Sequence, residues 1–391
     1  MRTFSLHFIF YAFFSLFFAI SFIVFPQHTY DASLRGLDTW WRIVFPSLLP
    51  FFIIADLMIQ IGVVKFIGRF LEPFMRPLFN VPGSGGFVLA LGMASGFPAG
   101  AKLTAHLRQE KILNQIEAER LVSFSNSSNP LFIFGAIAVG LFHDESLGIL
   151  LAFSHYGGNL IVGLCMRFYK YNKLSPTHTS KPLNIWTPPS MKPLGELLGN
   201  AVYTSMQTLF MIGGFIILFS VIHEILSLLH VTLVLAFILQ SFFFFIPFHH
   251  ELSSPFISGL LEVTLGSQKI SNLNDIPLVL QLTAISFLLG FNGFSVHAQV
   301  ASILAKTDIR FTPFFLARIL HGLLSSLICY TLSIFFIPKQ QTVRTINLND
   351  QTSSFFPMIY NWLLHYGGWI TFFSLFLFLI WFIKNKESSF K

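Results

Sequence analysis

The chain has 391 residues, 54% hydrophobic and only 10% charged. A soluble globular chain averages about 25% charged residues, so a protein this size could not cover itself in water, and lipid must serve as much of its solvent. The formal net charge of +7 is spread over short stretches between apolar runs, as in proteins oriented in a membrane, and forms no basic arm of the kind that binds nucleic acid.

The first apolar run, Phe4–Phe25, follows Met1-Arg2. It is longer than a signal-peptide core, which spans about 7–15 residues, and no small-x-small cleavage site follows it. It is expected as a retained first span. A spanning helix needs about 20 predominantly apolar residues. Further candidates are Ile43–Val64, Leu147–Tyr169, Val202–Ile222, Leu228–Phe248, Thr312–Ile337 and Trp369–Ile383, the last beginning nearer Trp362. Each must satisfy its own backbone hydrogen bonds and is therefore helix. Between Arg167 and Lys192, five cations stand without an acid, and the tail carries Lys384, Lys386 and Lys391; the positive-inside rule makes both cytoplasmic.

This pattern predicts an all-α polytopic membrane protein of two repeat halves with re-entrant hairpins and broken helices. A first span and loop (1–42) precede a first repeat (43–169). A proline-rich linker (170–193), a second repeat (194–337) and a loop with a last span (338–391) follow. Each half has a spanning helix, then a segment with a Leu-Glu pair (Leu71-Glu72, Leu261-Glu262) read as an interfacial helix. A broken tract comes next, Gly96-Phe97-Pro98-Ala99-Gly100 in one half and Gly290-Phe291-Asn292-Gly293-Phe294 in the other. Broken segments at matching places in two halves point to a transporter's binding site.

Three groups of residues are the candidates. Ser95, Gly96, Phe97, Ala99, Gly100 and Lys102 can form a hairpin tip whose outgoing helix offers free N–H groups and a positive dipole end, with an ammonium one turn on: an anion site. The alternative places Lys102 among lipid headgroups. Ser125, Asn126, Ser128 and Asn129, just before Pro130, read either as the unwound part of a discontinuous helix or as a capped loop after an amphipathic cytoplasmic helix, Gln115–Val122. Asn292, Gly293, Ser295, His297 and Gln299 make the matching break, with His297 either a titrating ligand or a helix-packing residue. Asp56 is a possible cation ligand or ion-pair partner. Cys165, Cys329 and the His249-His250-Glu251 run lack metal-ligand geometry, so no metal or cofactor is expected. Nucleotide-binding loops and nucleophile elbows are absent, and no enzyme is expected.

Three blocks carry a resemblance: Trp40-Trp41-Arg42-Ile43-Val44-Phe45-Pro46-Ser47-Leu48-Leu49-Pro50-Phe51-Phe52, Gly92-Met93-Ala94-Ser95-Gly96-Phe97-Pro98-Ala99-Gly100-Ala101-Lys102-Leu103-Thr104, and Ser125-Asn126-Ser127-Ser128-Asn129-Pro130-Leu131-Phe132. Together they resemble the sporulation integral membrane proteins of YlbJ type, which contain nucleoside-recognition Gate domains. The resemblance covers nearly the whole chain. It implies a nucleoside-transporter-like Gate fold in a multi-pass protein of the mother-cell-derived outer forespore membrane, passing dipicolinate toward the forespore. Partners are then this small anion and membrane lipid, with no nucleic acid; neither oligomeric state nor driving ion is assigned. Helix N-termini and Lys102 would suit the carboxylates, and Phe97, Phe124, Phe291 or Phe294 the ring. A nucleoside or nucleobase transporter and a scaffold or receptor of spore-envelope assembly are the alternatives.

Overall fold

The computed structural model describes residues 6–61, 73–109, 111–171, 193–242 and 249–336. Every regular element among them is helical. Most of the linker, the Leu71-Glu72 pair and the last span lie outside the described residues, as do the ends of the Ile43–Val64 and Leu228–Phe248 candidates.

Helix α1 (Leu6–Val24) meets α2 (Pro26–Thr39) at a bend of 102°. Pro26 takes the first helical position, where a missing N–H leaves nothing unbonded. A π-helical turn, Trp40–Val44, carries the chain into α3 (Phe45–Ile61). There the buried Trp40 indole N–H donates to Leu209 O at 3.0 Å, tying this corner to the second half.

α4 (Pro73–Phe79) meets α5 (Ser84–Ser95) at 89°. The chain then reverses through Gly96-Phe97-Pro98 into α6 (Ala99–Gln109). A Cβ placed on Gly92 would lie 3.4 Å from the Gly100 Cα, whereas a straight helix would separate the two by about 12 Å. Gly96, at φ +80°, provides a backbone conformation that side chains with a Cβ seldom adopt. α5 and α6 are thus a helical hairpin. α7 (Gln115–Ser125) starts on a capping box of Asn114 and Glu117. It unwinds over Asn126–Asn129 and resumes into a π-helical segment, Phe132–Val139. A whole span, α8 (Ser146–Met166), follows.

The second half has the 35-residue α9 (Leu194–Leu228), a short apolar α10 (Val231–Phe242), then α11 (His250–Leu261) and α12 (Val263–Ser271). The last two are a second hairpin, for a Cβ on Gly266 would meet the Gly259 Cα at 2.0 Å. α13 (Leu278–Phe291) and α14 (Gly293–Leu304) run on as one span of 27 residues, broken at Asn292. α15 (Phe311–Phe336) is whole.

The order hairpin, broken span, whole span therefore occurs twice, but not in the register that the sequence pattern suggests. The counterpart of the Gly96 hairpin is α11–α12, and Leu260–Val263 is its tip instead of an interfacial helix. The Asn292 break corresponds instead to Asn126–Asn129. The pattern pointed elsewhere because this second tip turns on one extended residue, Glu262 (φ −145°, ψ 118°). The small residues that allow close approach lie in the arms, at Gly259 and Gly266. A second difference concerns Gln115–Val122: from Ala118 to Ser125 every residue of α7 is buried, so it belongs to the core and is no surface amphipathic helix.

Among the described residues, four helices are long and apolar enough to cross a membrane, or six spans if each bent pair counts as one. The whole spans α8 and α15 pack on each other, and α15 packs on α13, through small residues: a Cβ on Gly290 would come within 2.8 Å of the Gly322 Cα, and one on Gly158 within 3.0 Å of the Ser325 nitrogen. The Ser325 hydroxyl donates to Ser154 O and the Ser286 hydroxyl to Ser325 O. Close backbones and interhelical hydrogen bonds supply the association that lipid, as apolar as leucine, cannot drive. Large rings such as Phe13, Phe210, Phe237 and Phe335 stay exposed.

Candidate functional site

The hairpin tips and the helix breaks converge. Ser95, Gly96 and Phe97 of the first tip, Asn129 of the first break, Glu262, Val263 and Thr264 of the second tip, and Ser295 and Gln299 of α14 line one cavity. Val44, Leu48 and Phe52 of α3, Phe132, and Ile212 and Ile216 of α9 complete its walls. Its volume is about 30 Å³, room for two or so waters at about 10–15 Å³ each. An aromatic solute enters only if the walls part.

Each tip leans on the break of its own half. The Asn129 side chain accepts from the Phe132 N–H at 2.7 Å, capping the resumed helix, and donates to Ser95 O at 3.2 Å. One amide thus caps a helix and holds the hairpin. In the second half the Gly293 Cα faces Gly259 O and Val263 N so closely that a Cβ there would lie 3.2 Å from both. The breaks also meet each other, the Asn292 side-chain N–H donating to Asn126 O at 3.2 Å.

The cavity is electrostatically mixed. Glu262 is its one ionisable lining group among the described residues. Its carboxylate accepts from the Leu265 N–H at 2.6 Å, so it neutralises the positive end of α12. α14 has no side-chain cap, and its first turn, with Ser295 and Val296, borders the cavity. Its dipole leaves a partial positive charge there. The buried Gln299 carbonyl has no protein partner.

Six of the sequence candidates line the cavity: Ser95, Gly96, Phe97, Asn129, Ser295 and Gln299. Ala99 begins α6 just beyond the tip, and Gly100 is pressed against Ser125 O. Lys102 is exposed and does not line this cavity; its charge lies within electrostatic reach of Asp56 on α3 instead. Ser125, Asn126 and Ser128 are buried behind the cavity, where Ser128 N–H donates to the His155 ring at 3.1 Å. Asn292 and Gly293 form the second break. His297 donates to Phe291 O at 2.9 Å within a cluster of Phe291, Phe311, Phe314 and Phe315 rings, a packing role. Of the ring candidates, Phe97 lines the cavity, while Phe124 stacks on Phe79 away from it.

Two residues were not among the candidates: Glu262, which the sequence pattern assigns to an interfacial helix, and Arg318. Arg318, on α15, is fully buried among carbonyls: its guanidinium donates to Asn126 O at 2.9 Å, to Asn159 Oδ1 at 3.1 Å and to Ser123 O. It thus places a cation at the C-terminal end of α7, where unbonded carbonyls gather. The signal was available in both cases, an ionisable residue within an apolar run.

A family model described as nucleoside recognition, the Gate domain, matches residues 41–142. The chain is 48% identical over 387 residues, 94% of each chain, to a protein of Bacillus subtilis (strain 168) called sporulation integral membrane protein YlbJ. This chain belongs to the YlbJ family of sporulation integral membrane proteins. The Gate match runs from Trp41 to Phe142 and so takes in the first hairpin and the first break. No solved structure matches.

Proposed function

We propose that this member of the YlbJ family is a secondary transporter that moves a small aromatic dicarboxylate, dipicolinate, across the mother-cell-derived outer forespore membrane during spore formation. The observation that carries the transport reading is the meeting of two hairpin tips, the first helix break and the first turn of α14 on one cavity. Broken backbone at membrane depth is tolerated where protein or a polar cavity surrounds it, and paired breaks are how transporters build a solute site. Family membership supports the setting. The Phe97 and Phe132 rings offer faces for a flat solute, and the uncapped α14 N-terminus offers backbone N–H groups to a carboxylate.

A second reading, a nucleoside or nucleobase carrier, is favoured by one observation: Glu262 with Ser95, Asn129, Thr264, Ser295 and Gln299 suits a neutral solute rich in hydroxyl and amide donors. Uptake of labelled dipicolinate and of labelled nucleosides into proteoliposomes containing the full chain separates the two. Dipicolinate is expected to enter faster than into empty liposomes. Asn129→Ser, which keeps a helix cap but is too short to hold Ser95, is expected to slow that entry by about tenfold, the effect of about 1.4 kcal/mol. Entry of nucleosides alone would transfer the proposal to the second reading, and entry of neither would end it.

A further inference from the structure

A second cavity, of about 210 Å³, opens between α2, α9 and α12. It is much larger than the central one, and three observations give it a role. The first is charge. Arg35 lies 2.5 Å from Glu224, whose other oxygen is 3.4 Å from the His28 ring, so that carboxylate is already engaged. Lys269 Nζ contacts only neutral groups, Ser258 Oγ at 3.2 Å and the His223 ring at 3.3 Å. No carboxylate among the described residues is within ion-pair distance of it. One unit of positive charge is therefore left over in a half-buried cleft, where low-dielectric walls concentrate its field.

The second observation is continuity. Along α9, Ile212 and Ile216 line the central cavity, while Ser220, His223 and Glu224 line this one. Spacings of three and four residues keep all five on one helix face. On α12, Glu262–Thr264 border the first cavity, and Leu265, Gln268 and Lys269 the second. Ser220 lies four residues beyond Ile216, a rise of about 6 Å. The two cavities lie end to end along one seam.

The third is position. Ser220 lies about 40 Å along α9 from its start at Leu194, at the end of the helix remote from the linker. The central cavity holds an acid and no cation; the second holds two cations, Arg35 and Lys269, and one acid, Glu224.

We infer that the cleft around Lys269 is an anion-binding vestibule leading to the central cavity, taking small organic carboxylates and selecting solute charge before the hairpins part. This rests on the transport reading for the identity of the carboxylate, but not for the charge preference.

Charge-dependent labelling tests it. Asn272, exposed on the vestibule wall, is replaced by cysteine in full chain carrying Cys165→Ser and Cys329→Ser, held in nanodiscs of zwitterionic lipid. A methanethiosulfonate bearing a sulfonate is expected to label Asn272→Cys about tenfold faster than one bearing trimethylammonium. Dipicolinate should slow the labelling. Adding Lys269→Gln should abolish both effects, and Lys269→Arg should keep them, which separates lost charge from lost fold. Equal labelling by the two reagents would overturn the inference. So would protection by anionic phospholipid in the nanodisc but not by dipicolinate, which would make this a headgroup site. A preserved charge preference in a protein that transports no dipicolinate would sink the transported solute and leave an anion vestibule standing.

Discussion

Arg318 and Glu262 show how single charges organise this membrane interior. A lone guanidinium at membrane depth persists because unwinding at Asn126 frees backbone carbonyls for it, and those carbonyls need a donor in return. Arg318→Ala leaves Ser123 O, Asn126 O and the Asn159 side chain without it, and each orphaned buried polar group costs about 1–3 kcal/mol. A clear fall in thermal unfolding temperature in detergent is expected, only partly repaired by Arg318→Lys, because an ammonium cannot reproduce the planar fork. Glu262 acts in the opposite sense by placing a carboxylate in the cavity. Glu262→Gln retains an oxygen for the Leu265 N–H and removes the charge. If the solute is a dicarboxylate, its KM in liposome uptake should fall; if it is a nucleoside, uptake should weaken. Both residues were legible as ionisable groups in apolar runs. Their roles were not, since the Arg318 partners Ser123, Asn126 and Asn159 lie more than 150 residues away in sequence.

Among the elements, the first hairpin depends on contact with α7. A Cβ on Gly100 would lie 2.1 Å from Ser125 O, and one on Gly92 1.9 Å from the same oxygen. Gly100→Ala must push the hairpin off α7, with a loss of about 1–3 kcal/mol for overpacking and loss of uptake. Gly199→Ala on α9, where a Cβ meets nothing within 4 Å, is the matched control and should be neutral or more stable by up to about 1 kcal/mol. Thermal unfolding and uptake of the two variants check this. The Gly96-Phe97-Pro98 turn was readable because glycine and proline punctuate it. The Glu262 tip was not: its turn residue is no recognised breaker, and only packing of Gly259 on Gly266 reveals the reversal.

At the scale of the whole molecule, the halves are joined through the α14–α15 loop. Arg108 of α6 grips Asp308 through two 2.8 Å hydrogen bonds, and Arg310 pairs with the buried Glu119 of α7, which also accepts from Tyr169. These contacts lie at the end of α8 that leads into the linker. The hydrogen bond from Arg108 holds the Asp308 carboxyl below its ordinary range. Its stabilisation is therefore fully present above the unfolded value of about 3.9 and is lost as pH falls through the lower folded value. Both side chains are partly exposed, so the effect is small, as for other exposed pairs at about 0.2–1 kcal/mol. Asp308→Asn should lower stability slightly at pH 7, and its difference from the parent chain in thermal unfolding should vanish in strong acid.

Hydropathy, glycine–proline punctuation and the positions of cations settled from the sequence alone that this chain is helical, lives in lipid and interrupts its helices within apolar tracts. Those properties follow from the bilayer acting on each segment separately, because a segment without water must satisfy its own backbone. Which breaks face one another, why Lys102 falls outside while Glu262 falls inside, and where a second cationic cleft opens were decided by tertiary structure. They depend on helix rotation and on backbones brought together from distant parts of the chain, quantities to which no local window of residues has access.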